Sequence, residues 1–138
     1  MNAVQGDSIM DKKPTVRIAQ FGDTAALLMT WAHRVDSRDV HAAFKEIDRR
    51  LNESGAANYV VVDLRENPNF PLGATVQAAA FGPYRNPLLE EWLIIGSNPV
   101  ARTISRILSA TTRRSNVRWF DSEAEVHDYL TQKISRPG

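Results

Sequence analysis

Three histidines, His33, His41 and His127, are the side chains best suited to act as acid, base or metal ligand near neutral pH. Their spacing does not assemble a site. His33 and His41 stand eight residues apart across an expected strand–helix boundary, with neither an HExxH pattern nor a paired-histidine motif. His41 and His127 are expected on solvated helix faces, and no metal is expected. The chain has no cysteine, which removes disulfides, thiolate nucleophiles, iron–sulfur clusters and cysteine-ligated zinc together. Its seven glycines are scattered, with no Gly-x-Ser-x-Gly elbow, Walker loop or Gly-x-Gly-x-x-Gly turn. Asp63 closes an apolar run at the position where open α/β sheets place ligands and catalytic groups. The alternative is a carboxylate that caps a loop or pairs with Arg65. Asn98 has a similar double reading: a helix start after a strand can hold an anion, yet Ser97-Asn98-Pro99 is fully explained as a helix cap. A hydrolase-type enzyme would need Asp63, a histidine and an anion site to converge. The expectation is a non-catalytic module.

Charge is uneven along the chain. Trp92 through Phe120 contains Arg102, Arg106, Arg113, Arg114 and Arg118 and no acid. On a regular α-helix Arg102, Arg106 and Arg113 fall within about 40° of one another, which makes a stripe opposite the apolar face. An acidic protein surface, a phosphate or a nucleic acid could dock there; the alternative is a solvated face neutralised by Glu123, Glu125 or Asp128. Aromatics of the kind that stack nucleic-acid bases are missing from this helix, which speaks against nucleic acid. The connection Pro68-Asn69-Phe70-Pro71-Leu72, with Phe81 and Tyr84 beyond it, is apolar for a surface loop. It is a contact surface if exposed, or a lid on the core if Phe70 and Leu72 fold inward.

The elements that must position these groups follow from periodicity. Thr15–Phe21 and Thr24–Ala32 alternate at period two, around Gly22-Asp23 as a two-residue hairpin turn. Val40, Phe44, Ile47 and Leu51 recur at helical spacing, with Asp36 or Ser37 as the start and Gly55 as the stop. Tyr59-Val60-Val61-Val62 and Trp92-Leu93-Ile94-Ile95 lack polar alternation, as strands covered on both faces do. A short helix is expected through Ala74, Val76, Ala79 and Ala80, ended by Gly82-Pro83, and a further one through Val100, Ile104, Ile107, Leu108 and Thr111. Asn116–Phe120 reads as a last strand, and Ser122 with Glu125 as the capping box of a C-terminal helix. The expected fold is α/β, ordered ββαβαβαβα: a mixed, mainly parallel five-stranded sheet whose right-handed crossovers put helices on both faces. One domain over residues 14–134 is expected to follow a flexible segment, residues 1–13.

From Tyr59 onward the chain resembles the STAS family, the domain of anti-sigma-factor antagonists and sulfate-transporter tails, and more closely its divergent bacterial relatives. The resemblance is carried by Tyr59-Val60-Val61-Val62-Asp63-Leu64, by the loop at Asn67–Gly73 before a helix, and by Trp92-Leu93-Ile94-Ile95-Gly96-Ser97-Asn98-Pro99-Val100-Ala101-Arg102. It continues in Val117-Arg118-Trp119-Phe120-Asp121-Ser122-Glu123-Ala124-Glu125-Val126. It implies a regulatory module that meets a protein partner, a kinase or anti-sigma-like protein or a second copy in a homodimer. The implied surface is the loop Asn67, Asn69, Phe70, Pro71, Leu72, Gly73 and Thr75. Well-known members present a phosphorylatable serine there, whereas this chain has Pro71 and Leu72 in its place and Thr75 as the nearest hydroxyl, so the phosphoswitch is expected to be absent. Some STAS-like folds also resemble lipid-binding CRAL-TRIO proteins, which makes carriage of a small apolar or anionic ligand the competing expectation. No cofactor is expected. Hydrophobic residues at 43% and charged ones at 24% suit an ordinary globular core. A net charge of +1 and the lack of a signal-like or membrane-length apolar stretch suggest a cytoplasmic protein.

Overall fold

Alternating apolar residues build the sheet that the period-two runs predict. The computed structural model describes residues 15–135, so the flexible segment expected over residues 1–13 lies outside the described residues. Strand β1 (Val16–Gln20) turns into antiparallel β2 (Leu27–Trp31). Helix α1 (Ser37–Ser54) leads to β3 (Asn58–Asp63), α2 (Leu72–Ala80) and a 3-10 turn (Pro83–Arg85) to β4 (Leu89–Ile95), and α3 (Pro99–Thr112) to β5 (Val117–Phe120). Helix α4 (Glu123–Ser135) closes the chain. The sheet runs β1-β2-β3-β4-β5, with β2 through β5 parallel.

The hairpin is wider than the two-residue turn predicted at Gly22-Asp23. Phe21 N–H donates to Ala26 O at 2.9 Å, leaving four residues in the connection. Thr24 holds it open: its hydroxyl donates to Phe21 O at 2.6 Å and accepts from Ala26 N at 3.2 Å. Helix α1 follows its periodicity. Val40, Phe44, Ile47 and Leu51 are buried, each contributing roughly 1.5–3 kcal/mol. Asp36 caps the start through Arg38 N at 2.8 Å, and Gly55 takes the left-handed conformation, φ 67°, that ends it.

Each crossover steps to the next strand in the same direction, so right-handedness places α1, α2 and α3 on one face, not on both as the crossover argument predicts. There they cover Met29, Trp31, Val60, Val62, Trp92 and Ile94. Among the described residues the other face is covered by α4, through Val126 and Leu130, which join Phe21, Ala26, Val61, Leu93 and Ile95. Central strand β3 is therefore buried on both sides, as its unbroken valine run requires. Gly96, φ 113°, turns the chain out of β4 so close to β3 that a Cβ there would lie 3.3 Å from the Leu64 carbonyl carbon. Among the described residues no helix is long and apolar enough to cross a membrane.

Candidate functional site

Ligands of open α/β sheets enter where the strand order reverses, and here it never does. At the carboxyl end of β3 the one acid is paired within the chain. Asp63 accepts from Arg65 Nε at 3.0 Å, Nη2 at 2.8 Å and backbone N at 3.0 Å, and Arg65 also reaches Glu123. This is the pairing alternative. The Arg65 hydrogen bonds hold the Asp63 carboxyl below its usual range, outweighing its partial desolvation. His33 is exposed and lies 3.3 Å from Glu66 O, while His127 faces Asp23 at 3.3 Å on the far side of the sheet. His41 is exposed on α1. Among the described residues no group of three histidine or acidic side chains could hold a metal ion.

Two carboxylates give the fold an acid limit. Asp63 is held low by Arg65, and Glu46 is brought down from 4.5 to about 2 by hydrogen bonds from Arg49 and Arg50. Both bind protons less readily folded than unfolded, so their stabilisation is complete above the unfolded pKa and is lost as pH falls toward the folded one. The melting temperature is expected to hold from neutrality to about pH 5 and then to decline, less steeply in Asp63→Asn. Circular dichroism melts at stepped pH check this; a melting temperature unchanged down to about pH 2 would contradict it.

The segment between β3 and α2 is bound to its neighbours at several points. Asn69 N–H donates to His33 O at 2.8 Å, and Asn67, φ 54°, donates to Leu64 O at 2.9 Å. Asn98 is buried and works in both directions. Its Oδ1 accepts from Ala101 N at 3.0 Å, capping α3, and its Nδ2 donates to Pro68 O at 3.0 Å and Asn67 Oδ1 at 3.1 Å. The cap reading of Asn98 is thus observed, with an unpredicted tie to the loop. Phe70 is half-buried with its ring centroid 4.7 Å from that of Trp31, so it acts as a lid. Pro71 begins α2 without a side-chain cap. Asn67, Asn69, Leu72 and Gly73 face solvent, whereas Thr75 is buried in the core, one turn before Ala79 on the inward face of α2, which begins at Leu72, two residues earlier than predicted. Thr75 thus presents no hydroxyl to a partner.

The arginine stripe is shorter than predicted. Arg113 is not on the helix: α3 stops at Thr112, and Arg113 adopts a left-handed conformation, φ 59°, that redirects the chain toward β5. Arg118 pairs with Glu91 at 2.7 Å, and Arg114 turns inward onto backbone carbonyls. Arg102 and Arg106 remain exposed on α3, Arg102 stacked over the Trp119 ring at 4.3 Å. The helix is seated by its buried Ala101, Ile104 and Leu108, and Val100 and Ile107 stay exposed. The exposure of Val100 and Ile107, predicted as part of an apolar helix face, was not legible from spacing alone. No protein-family profile, curated protein or solved structure matches this chain.

Proposed function

We propose that this chain is a non-catalytic regulatory module that docks an acidic protein surface on the outer side of α2 and α3. One observation carries the reading. Leu72, Val100 and Ile107 are 43%, 39% and 38% exposed, Arg102 and Arg106 are exposed elsewhere on the same α3, and neither helix contains an acid. Exposed apolar side chains on an acid-free helix pair that also carries two exposed guanidinium groups fit a partner that offers both apolar contacts and carboxylates. The STAS resemblance supports the same assignment, since this surface adjoins the segment Asn67–Gly73 through which that family meets its partners. With no hydroxyl exposed at the start of α2, docking here is set by contact chemistry and salt, not by phosphorylation of that turn.

The test compares proteins captured by the wild type with those captured by Ile107→Asp and Arg102→Glu, each checked for folding by circular dichroism. The expected partner is retained by the wild type, lost from both variants, and released as salt is raised toward about 0.5 M. Capture that is identical for all three proteins would count against the surface. Light scattering that shows a wild-type dimer, dissociated by Ile107→Asp, would replace the acidic partner with a second copy.

A further inference from the structure

The sheet ends in an open edge at β5, which is last in the strand order and pairs with β4 alone. Along a strand, the backbone groups of successive residues turn to opposite sides. Asn116 O and Phe120 O accept from Trp92 N at 2.8 Å and Gly96 N at 3.0 Å, so the even-numbered residues here face β4. Val117 and Trp119 therefore aim their N–H and C=O groups outward, and among the described residues no turn, loop or strand partner meets them. Such an edge is a template for a further strand. The sequence Val117-Arg118-Trp119-Phe120 has neither proline nor lysine to repel one, and its single charge, Arg118, is paired with Glu91.

One flank of this edge selects for charge. A groove between α3 and β5 is lined by residues that include Arg102, Arg106, Ser109, Ser115, Val117 and Trp119, and by no acid. Arg102 stacks over the Trp119 ring, and Arg106 follows one helical turn later. Both guanidinium groups are exposed, and no ion pair among the described residues involves either. The opposite edge differs: beside β1, Arg50 is paired with Glu46 at 2.7 Å, and Asp39 accepts from Thr15 N at 2.7 Å. On an added strand, side chains that share a face recur about every 6.6 Å, and residues four apart on a helix stand about 6 Å apart along its axis. Carboxylates at every second residue thus meet Arg102 and Arg106 in turn. A second copy fits less well, because antiparallel pairing of two β5 strands brings the arginines of both α3 helices to the same side of the joint. We propose that β5 accepts an extended acidic peptide segment as a further strand, its alternate carboxylates held by Arg102 and Arg106. This pairing rests on the acidic partner proposed above and gives that partner a conformation and a backbone contact.

The probe is the peptide acetyl-Thr-Glu-Val-Glu-Val-Glu-Thr-amide, with a control in which glutamine replaces each glutamate. In NMR titrations the acidic peptide is expected to slow amide exchange at Val117 and Trp119 by about tenfold and to bind about tenfold tighter than the control. Val117→Pro removes one outward N–H without touching the β4 ladder and is expected to abolish binding, with circular dichroism to check the fold. Ile107→Asp, which does not line the groove, is expected to bind the peptide as the wild type does. Binding that leaves the Val117 and Trp119 amides unprotected overturns strand addition; if Ile107→Asp alone then loses the peptide, the docking surface stands without it. Equal affinity for the control overturns the part given to the arginines. No binding of the acidic peptide at about 1 mM overturns the site. A wild-type dimer that Val117→Pro dissociates puts a second copy on the edge and overturns the peptide as occupant. The wild-type exchange measurement decides the matter even if Val117→Pro does not fold.

Discussion

Replacing Arg114 by methionine is expected to lower the free energy of unfolding by about 3 kcal/mol, as much as a large cavity mutation, although the residue is only half-buried. Its guanidinium closes the region where α3, the 3-10 turn and β4 meet. Nη1 donates to Tyr84 O and Asn86 O, each at 3.0 Å, and Nη2 donates to Leu89 O at 2.6 Å. These carbonyls precede or open β4, and the turn gives them no other donor as good as a cation, whose hydrogen bonds are roughly twice as strong as neutral ones. Methionine keeps the apolar stem and removes all three bonds. Lysine, a point charge without the planar fork, is expected to recover less than half of the loss. Urea unfolding with an unchanged m-value reads the effect, and a loss below about 1 kcal/mol would mean that water replaces the guanidinium at all three carbonyls.

Asn98→Ala is expected to cost about 2 kcal/mol, from a lost helix cap and two loop carbonyl and amide groups left without their partner. The informative comparison is Asn98→Asp. Aspartate keeps the acceptor for Ala101 N but presents oxygen to Pro68 O and Asn67 Oδ1, where the wild type presents an amide. It is expected to retain α3 and to loosen the segment Asn67–Phe70, seen as faster amide hydrogen exchange at Asn67 and Asn69 with α3 still protected. Equal exchange in wild type and Asn98→Asp would show that the loop is held by Asn69 and His33 alone.

Much of the architecture was legible because it rests on local rules. The α1 stripe, the two unbroken strands at Val60 and Leu93, the Asn98 cap and the Ser122–Glu125 box each appear where residue spacing puts them. Side-chain partners across the fold were less legible. Arg114 and Arg118 read as part of a basic patch, yet one is spent on backbone carbonyls and the other on Glu91, because charge counts along a chain ignore what the sheet brings alongside. Arg113 was placed on the helix because helical spacing carries no signal for a non-glycine left-handed stop. Thr75 differs, since its place four residues before Ala79 puts it on the buried face of α2 by spacing alone.

The unbroken strand order also bears on how the molecule is made. Each strand pairs with the one synthesised just before it, so a chain leaving the ribosome always finds the edge it needs already formed. No strand waits for a distant partner, and no early edge stands open for long to the wrong neighbour. Helix α4 follows the last strand, and until it docks Val61, Leu93 and Ile95 lack the cover of Val126 and Leu130. The newly made protein is therefore exposed to aggregation between completion of β5 and docking of α4, when the sheet has one apolar side still to be covered.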